Sequence, residues 1–408
     1  MASSRTFFVD RTFVFLILYL LQVILGIESV PLGQHTPPDA GCDLIGKFSS
    51  PGVFYEHFMK PGIPLIMKSV LEDVEFPAYL NWKDDDYLRS NFGSEKMKVE
   101  SQKKENRLKE SVKLSLDEFL DIYRKKPVYL IDSITQKMKD DMMLPLTLQC
   151  GGFERSIHDV VLWFSSGGTS SVLHRDPLNN LLCILDGSKE LLLIDKKYKS
   201  VVESVGFVEN GEYSNIDVDN VDKKKYKDLL NLPWIKAHAE KGDCIFIPQG
   251  WYHQIRSNGR RNMAVNYWIS HRWWFDHPSC RLFEKFNKTE PINKYPYASP
   301  NEFVRYKMLE AYKDLDIVAK NNFLEPNVDK TKRLKLFEFI NLDRDTYLTW
   351  EELYNFDIDA AVTKFSDVLA QDYRRPEEFV NDETETKAEE GSKEDIKNNE
   401  SKVQKDEL

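Results

Sequence analysis

The chain has 408 residues, 41% of them apolar and 12% aromatic, enough for one large domain with an appendage and a substantial core. Its formal net charge is −10, and residues 377–408 hold 12 acidic against 5 basic residues, a balance of −7. The rest is close to neutral, which excludes a general nucleic-acid surface.

At the N-terminus, Arg5 and Arg11 precede an uncharged run from Thr12 to Ile27. That run is short for a membrane span and right for a secretory signal, so residues 1–27 read as a cleaved leader with no stable membrane insertion. The last four residues, Lys405-Asp-Glu-Leu408, are the endoplasmic-reticulum retrieval signal, which implies the KDEL receptor as a partner. Together the ends predict a protein of the ER lumen. In that setting Asn287-Lys-Thr289 and Asn399-Glu-Ser401 are glycosylation sequons. The compartment is oxidising, and the chain has five cysteines. Cys183 and Cys244 sit in apolar, strand-like runs and are expected to be buried. One disulfide is expected among Cys42, Cys150 and Cys280.

From residue 42 to 150 helical and strand patterns mix. Val53–Phe58 predicts a helix, and Pro61–Met67 leads into a strand. Leu116–Tyr123 has helical apolar spacing opened by Ser115 as a cap. Pro127–Ile131 predicts a strand. From about 157 to 270 strands dominate: Asp159–Phe164, Ser170–His174, Asn180–Leu185, Lys189–Asp195, Trp234–Ala239, Asp243–Ile247 and Asn262–Trp268. Gly167-Gly168, Asp186-Gly187, Lys241-Gly-Asp243 and Asn258-Gly259 read as turns between them. Many short strands with frequent turns predict a sandwich or jelly-roll barrel. Residues 200–232 read as a polar insert. Past 278 the chain turns helical: 300–319, opened by Ser299 and Pro300, then 331–340 and 360–373. Residues 377–408 read as an acidic, disordered tail.

The chemistry centres on His174 and Asp176. Residues i and i+2 of a strand share a face, so an imidazole and a carboxylate converge there. His253, after the block Phe246-Ile-Pro-Gln-Gly-Trp-Tyr, supplies a third ligand. Two histidines and one carboxylate leave one side of an octahedral ion open, the facial triad of non-haem Fe(II) oxygenases. Ser165-Ser-Gly-Gly-Thr-Ser170 forms a small-residue approach. Lys189 follows His174 by fifteen residues.

With the Gly242-Asp-x-x-x-x-Pro248 block and Val265-Asn-Tyr-Trp268, these residues resemble the JmjC, or cupin-like, Fe(II)/2-oxoglutarate oxygenases. Within that family the chain is similar to the protein-hydroxylase branch, such as factor inhibiting HIF. The resemblance runs from about 125 to 270, more weakly upstream to 51. It implies a mainly β fold with α: a double-stranded β-helix core, at about 125–272 within a 28–275 domain, with helical flanks and a C-terminal helical extension (276–330, then 358–376). It implies that His174, Asp176 and His253 bind iron. It implies that Lys189 pairs with the far carboxylate of 2-oxoglutarate, helped by Tyr129, with Ser171, Asn180, Asn266 and Trp268 lining the same pocket. The expected activity is hydroxylation of a side chain on a secretory-pathway protein, with demethylation disfavoured by the compartment.

A second motif, within 331–357, resembles an EF-hand. Its loop offers Asn341, Asp343, Asp345, the Tyr347 carbonyl and Glu352 to calcium. Thr346 stands where glycine permits the sharp turn, so backbone strain is expected there. A competing reading of the whole chain is a non-catalytic, calcium-responsive lumenal binding protein on a cupin scaffold.

Overall fold

A computed structural model describes residues 29–72, 74–204, 206–208, 212–281, 289–295, 299–324 and 329–369. The leader, Asn287, Asn399 and the acidic tail lie outside the described residues. The chain divides into two compact units. One takes Met1–Tyr306 and Thr349–Asn355, the other Lys307–Leu348 and Phe356–Leu408.

The first unit is built on one large sheet, rolled into a double-stranded β-helix. Its strands include β1 (Leu65–Met67), β2 (Lys96–Glu100), β3 (Val112–Ser115), β4 (Tyr129–Ser133), β5 (Ile157–Ser165), β6 (His174–Arg175), β7 (Asn179–Ile194), β8 (Tyr213–Ser214), β9 (Ile235–Glu240), β10 (Cys244–Ile247) and β11 (Tyr252–Ile269). The order β1-β10-β7-β11-β5-β4-β2-β3 forms its main path. β9 pairs with β7, and β6 with β8 and β11.

β7 and β11 are antiparallel along their whole length, from Asn179 opposite Ile269 to Ile194 opposite Tyr252. The sequence places a turn inside each, at Asp186-Gly187 in β7 and at Asn258-Gly259 in β11. The structure instead keeps each continuous. The register shifts on either side of Asp186. Gly187, at φ 76°, lies where a Cβ would come 2.5 Å from the Arg261 carbonyl oxygen, so that close crossing excludes a side chain. Alternation along β7 separates two cores. Leu182, Ile184, Leu191 and Leu193 pack with Ala237, Ile245, Ile247 and Ala264 inside the barrel. Leu181, Cys183 and Leu185 face a larger cluster with Phe54, Trp82, Phe119 and Phe164. Burying one such leucine or isoleucine is worth about 1.5–3 kcal/mol.

Local signals account for several elements. The helix Leu116–Ile122 opens on a capping box: Ser115 Oγ accepts Glu118 N, and Glu118 accepts Ser115 N. Losing such a cap costs about 1 kcal/mol. Residues 53–58 are helical, spanning the α-turns Pro51–Phe54 and the wider helix Tyr55–Met59. The strand expected over 170–174 shrinks to β6. Upstream, Gly167 and Gly168 take φ of 80° and 73°, and the Ser171 hydroxyl, rather than a ladder carbonyl, accepts Ile255 N at 2.8 Å. The 200–232 insert holds short elements, including the helices Lys199–Val202 and Lys227–Leu230 as well as β8.

Cys150 joins Cys280, within the trio expected to hold a disulfide. Cys183 also joins Cys244, where the apolar runs alone predict two buried thiols, because the two are register partners in β7 and β10. Cys42 is free and buried.

In the second unit, the helix Lys330–Ile340 matches the expected 331–340, and the helix Ile358–Leu369 covers the described part of the expected 360–373. The helix expected over 300–319 stops at Glu310. β-branched Val318 instead pairs with Leu348, giving a short two-stranded element. Among the described residues, no helix is long and apolar enough to cross a membrane.

The Cys150–Cys280 crosslink spans 130 residues. Cys280→Ser is therefore expected to lower the unfolding free energy by about 2–5 kcal/mol in urea titrations. An unchanged midpoint would mean that packing alone holds these segments.

Candidate metal centre

The register of β6 against β11 sets His174 directly opposite His253. Directly opposed residues of an antiparallel pair lie on one face, so both imidazoles project together. Their ring centroids are 4.1 Å apart. Asp176 lies just past β6, and Gly250 N donates to its carbonyl at 3.0 Å, tying it to the turn before β11. Its Oδ1 is 3.8 Å from His174 Nε2, and its Oδ2 is 3.3 Å from His253 Nε2. One ligand atom from each residue falls within 4.8 Å of the others; among the described residues no other His, Cys, Asp and Glu group gathers in this way.

The imidazoles are oriented for coordination. His174 Nδ1 is 3.0 Å from the Val172 carbonyl, and His253 Nδ1 is 3.0 Å from the Trp251 carbonyl. A carbonyl only accepts, so each Nδ1 carries the proton and each Nε2 keeps its lone pair for a cation. Burial, with help from neighbouring His253, pushes His174 down to about 4 and keeps it neutral at physiological pH. At His253 burial opposes the proton but the Asp176 carboxylate outweighs it, and the shift is upward. Burial opposes the charge of Asp176, and His253 outweighs it, holding that carboxyl below its usual range.

By strand alternation Asn180 and Lys189 of β7 and Asn266 of β11 fall on the same inner face as Leu182, Leu191 and Ala264, and Leu193 on that face is the register partner of His253. Lys189 is 3% exposed, and no described residue supplies it with a hydrogen bond or counter-charge. Burial alone pulls it down to about 8. Asn180 Oδ1 and Asn266 Nδ2 are buried and unpaired. Asn266 Oδ1 accepts from Trp163 Nε1 at 2.8 Å, which fixes the amide. Orphaned buried polar atoms are costly and are rare in finished cores. The buried ammonium of Lys189 and the free Nδ2–H of Asn266 are donors that suit an anion with carboxylate oxygens, whereas Asn180 Oδ1 can only accept.

Residues 51–273 match the cupin-like domain family, more than half of the chain. The chain belongs to the cupin-like, JmjC oxygenase family. Among its relatives, lysine-specific demethylase JMJ30 of Arabidopsis thaliana is 27% identical over 231 residues, covering 53% of this chain and 52% of its own length. JmjC domain-containing protein D of Dictyostelium discoideum is 25% identical over 250 residues, 52% of this chain and 54% of its own. Lysine-specific demethylase 8 of Danio rerio is 28% identical over 232 residues, 53% and 55%. The chain thus spans about half the length of the curated relatives it matches.

The JmjC family uses Fe(II) and 2-oxoglutarate, and the donor set here fits both. His174, Asp176 and His253 would present two imidazole nitrogens and one carboxylate to the ion. Lys189 is the residue that would supply a cation for the far carboxylate of 2-oxoglutarate. Tyr129, from the start of β4, lies against Trp163 at 5.9 Å between ring centroids, and burial raises its phenol well above the usual range. Asn180, Asn266 and Trp268 lie on β7 and β11, where Asn180 is the register partner of Trp268. Ser171 serves the backbone: its hydroxyl donates to Val172 O and accepts Ile255 N. The hydroxyl beside Tyr129 is that of Thr169, which the sequence reading passed over. Its one sequence signal is its place directly after the Gly167-Gly168 turn.

The EF-hand-like loop divides between the two units: Asn341, Asp343, Asp345 and Tyr347 fall in the second and Glu352 in the first. Asn341 Nδ2 donates to the carbonyls of Asp345 and Tyr347. Asp343 and Asp345 accept the backbone N–H groups of Asp345 and Tyr347. Glu352 Oε2 accepts Thr349 N and Oγ1 at 2.9 Å and closes a capping box on the helix Trp350–Asn355. The left-handed residue of the loop is Arg344, at φ 62°, so the strain expected at Thr346 is absent.

Two outcomes follow from this geometry. Asp176→Ala should weaken anaerobic Fe(II) binding sharply; equal affinity in the two proteins would remove Asp176 from the ligand set. Lys189 titrates near 8 when no anion is present, and an anion favours its charged form. Affinity for 2-oxoglutarate is therefore full below about pH 8 and should fall as pH rises through it. Lys189→Met should abolish that dependence and weaken affinity at pH 7 at least about tenfold, the loss of a charged hydrogen bond worth about 1.5–3 kcal/mol. A pH-independent affinity in the wild type would place the carboxylate elsewhere.

Proposed function

We propose that this chain hydroxylates a side chain of secretory-pathway proteins in the ER lumen, with Fe(II) and 2-oxoglutarate. One observation supports the catalytic part most: the inner sheet face that carries His253 of the His174–Asp176–His253 cluster also carries a buried, partnerless Lys189. A scaffold that had lost its chemistry would have no use for an uncompensated internal ammonium, which is costly to bury. The compartment is supported by the leader, by Lys405–Leu408 and by two disulfides, which belong to oxidising surroundings.

With both groups bound, 2-oxoglutarate and O₂ become succinate and CO₂ while one oxygen atom enters a substrate C–H bond. The protein supplies the frame. His174 and His253 would present imidazole nitrogens because Val172 and Trp251 hold their protons on Nδ1. Asp176 gives the charge. Lys189 and the two asparagines orient the 2-oxo acid, and the apolar strand faces around Leu182, Leu191 and Leu193 exclude water. If the oxidised carbon is an N-methyl group, the hydroxymethyl product breaks down to the amine and formaldehyde. Hydroxylation and demethylation are thus one chemistry on two substrates. The demethylase names of the relatives belong to those proteins. The lumen holds no chromatin, which favours stable hydroxylation here.

The test is mass spectrometry of lumenal proteins from cells expressing wild type or His174→Ala. Single-oxygen mass gains dependent on His174 are expected. Gains of methyl groups in the variant, without lost oxygens, would assign demethylation instead. Deleting Lys405–Leu408 should release the protein into the medium; retention would contradict the lumenal assignment by this signal.

A further inference from the structure

The pairing that joins the two histidines also has a reverse side. Successive residues of a strand alternate faces, and directly opposed residues share one. β6 and β11 set His174 opposite His253 and Arg175 opposite Tyr252. The first pair supplies metal ligands. The second pair therefore stands on the opposite face.

Arg175 and Tyr252 meet at one oxygen atom. Arg175 Nε lies 3.0 Å from Glu203 Oε1 as an ion pair without hydrogen-bond geometry, and the Tyr252 hydroxyl donates to the same Oε1. Glu212 adds a second carboxylate, 3.2 Å from Arg175 Nη2, and its carbonyl accepts Arg175 N at 3.0 Å. Glu212 holds this position at φ 51°, a left-handed conformation that non-glycine residues seldom adopt. Tyr252 is fully buried among Leu173, Val202 and Val218. Both glutamates come from the insert that the sequence presents as a polar loop.

This arrangement answers two problems at the metal centre. β6 has only two residues, so its backbone ladder alone holds His174 weakly. Arg175, between two ligands in sequence, is a permanent cation that would disfavour a divalent ion nearby unless neutralised. Glu203 and Glu212 neutralise it. Glu203 also ties it to Tyr252, the residue before His253.

We propose that Glu203 is a positioning residue for the metal centre: through Oε1 it locks Arg175 to Tyr252, and so fixes the separation of His174 from His253. The proposal rests on the metal-site reading of His174, Asp176 and His253. It gives the 200–232 insert a role in metal binding, although it contributes no ligand.

The test is anaerobic titration of the full chain with Fe(II) alone, on wild type, Glu203→Gln, Tyr252→Phe and the double variant, with Asp176→Ala as the reference for a lost ligand. Each single variant is expected to weaken iron binding at least about fivefold. The double variant should be little worse than the poorer single one, because both act through one oxygen. Urea midpoints of the same proteins without metal separate this from general loosening: a structural residue would lower the midpoint and leave the iron affinity of the folded protein unchanged. Tyr252→Phe removes a single hydroxyl and serves as the reading if Glu203→Gln does not fold. Iron affinities within twofold of a tight wild type would overturn the brace and leave the metal site standing. A wild type that binds iron no better than Asp176→Ala would overturn both.

Discussion

The structure depends on one register. β6 must meet β11 with His174 opposite His253. A slip of one residue would turn Arg175 and Tyr252 toward the metal position and bury both imidazoles behind the sheet. The surrounding chain holds that register from several sides. Ser171 receives Ile255 N, Gly250 N reaches the Asp176 carbonyl, and Ser214 N reaches the Leu173 carbonyl. Behind them, the continuous pairing of β7 with β11 makes β11 a rigid base, because its neighbours on both sides are core strands.

The pocket is expensive to maintain. Lys189 sits without an anion, and Asn180 and Asn266 each leave one polar atom unpaired. Each such group costs on the order of 1–3 kcal/mol. The apolar layers on both sides of β7 and the Cys150–Cys280 link offset that cost. Stability is thus gathered in the sheet and given up at the site, as expected where unsatisfied groups exist to meet a ligand.

Much of the site was legible because its signals are local. His174-x-Asp176 has strand spacing, Lys189 follows at a fixed interval, and His253 ends an apolar block. The Ser115–Glu118 capping box is equally local and opens its helix where expected. What escaped the sequence is what depends on register or on distant partners. Gly187 and Gly259 look like turns, since glycine usually marks them, yet both lie within continuous strands where a bulge or bend is required. Cys183 and Cys244 look like two buried thiols until β7 and β10 align them. Ser171 looked like a pocket hydroxyl, but backbone groups engage it, and Thr169, two residues earlier, stands beside Tyr129. Glu352 fits a calcium loop by spacing and equally fits N3 of a capping box, the role its hydrogen bonds describe.

On the proposed reading the metal cluster and Lys189 make one bipartite site for a 2-oxo acid. That reading is tested most directly by anaerobic calorimetric titration of 2-oxoglutarate into the full chain, with and without Fe(II). Binding is expected to be tight with iron and much weaker without it, because iron and Lys189 would hold opposite ends of one molecule. Equal binding with and without iron would contradict a bipartite site.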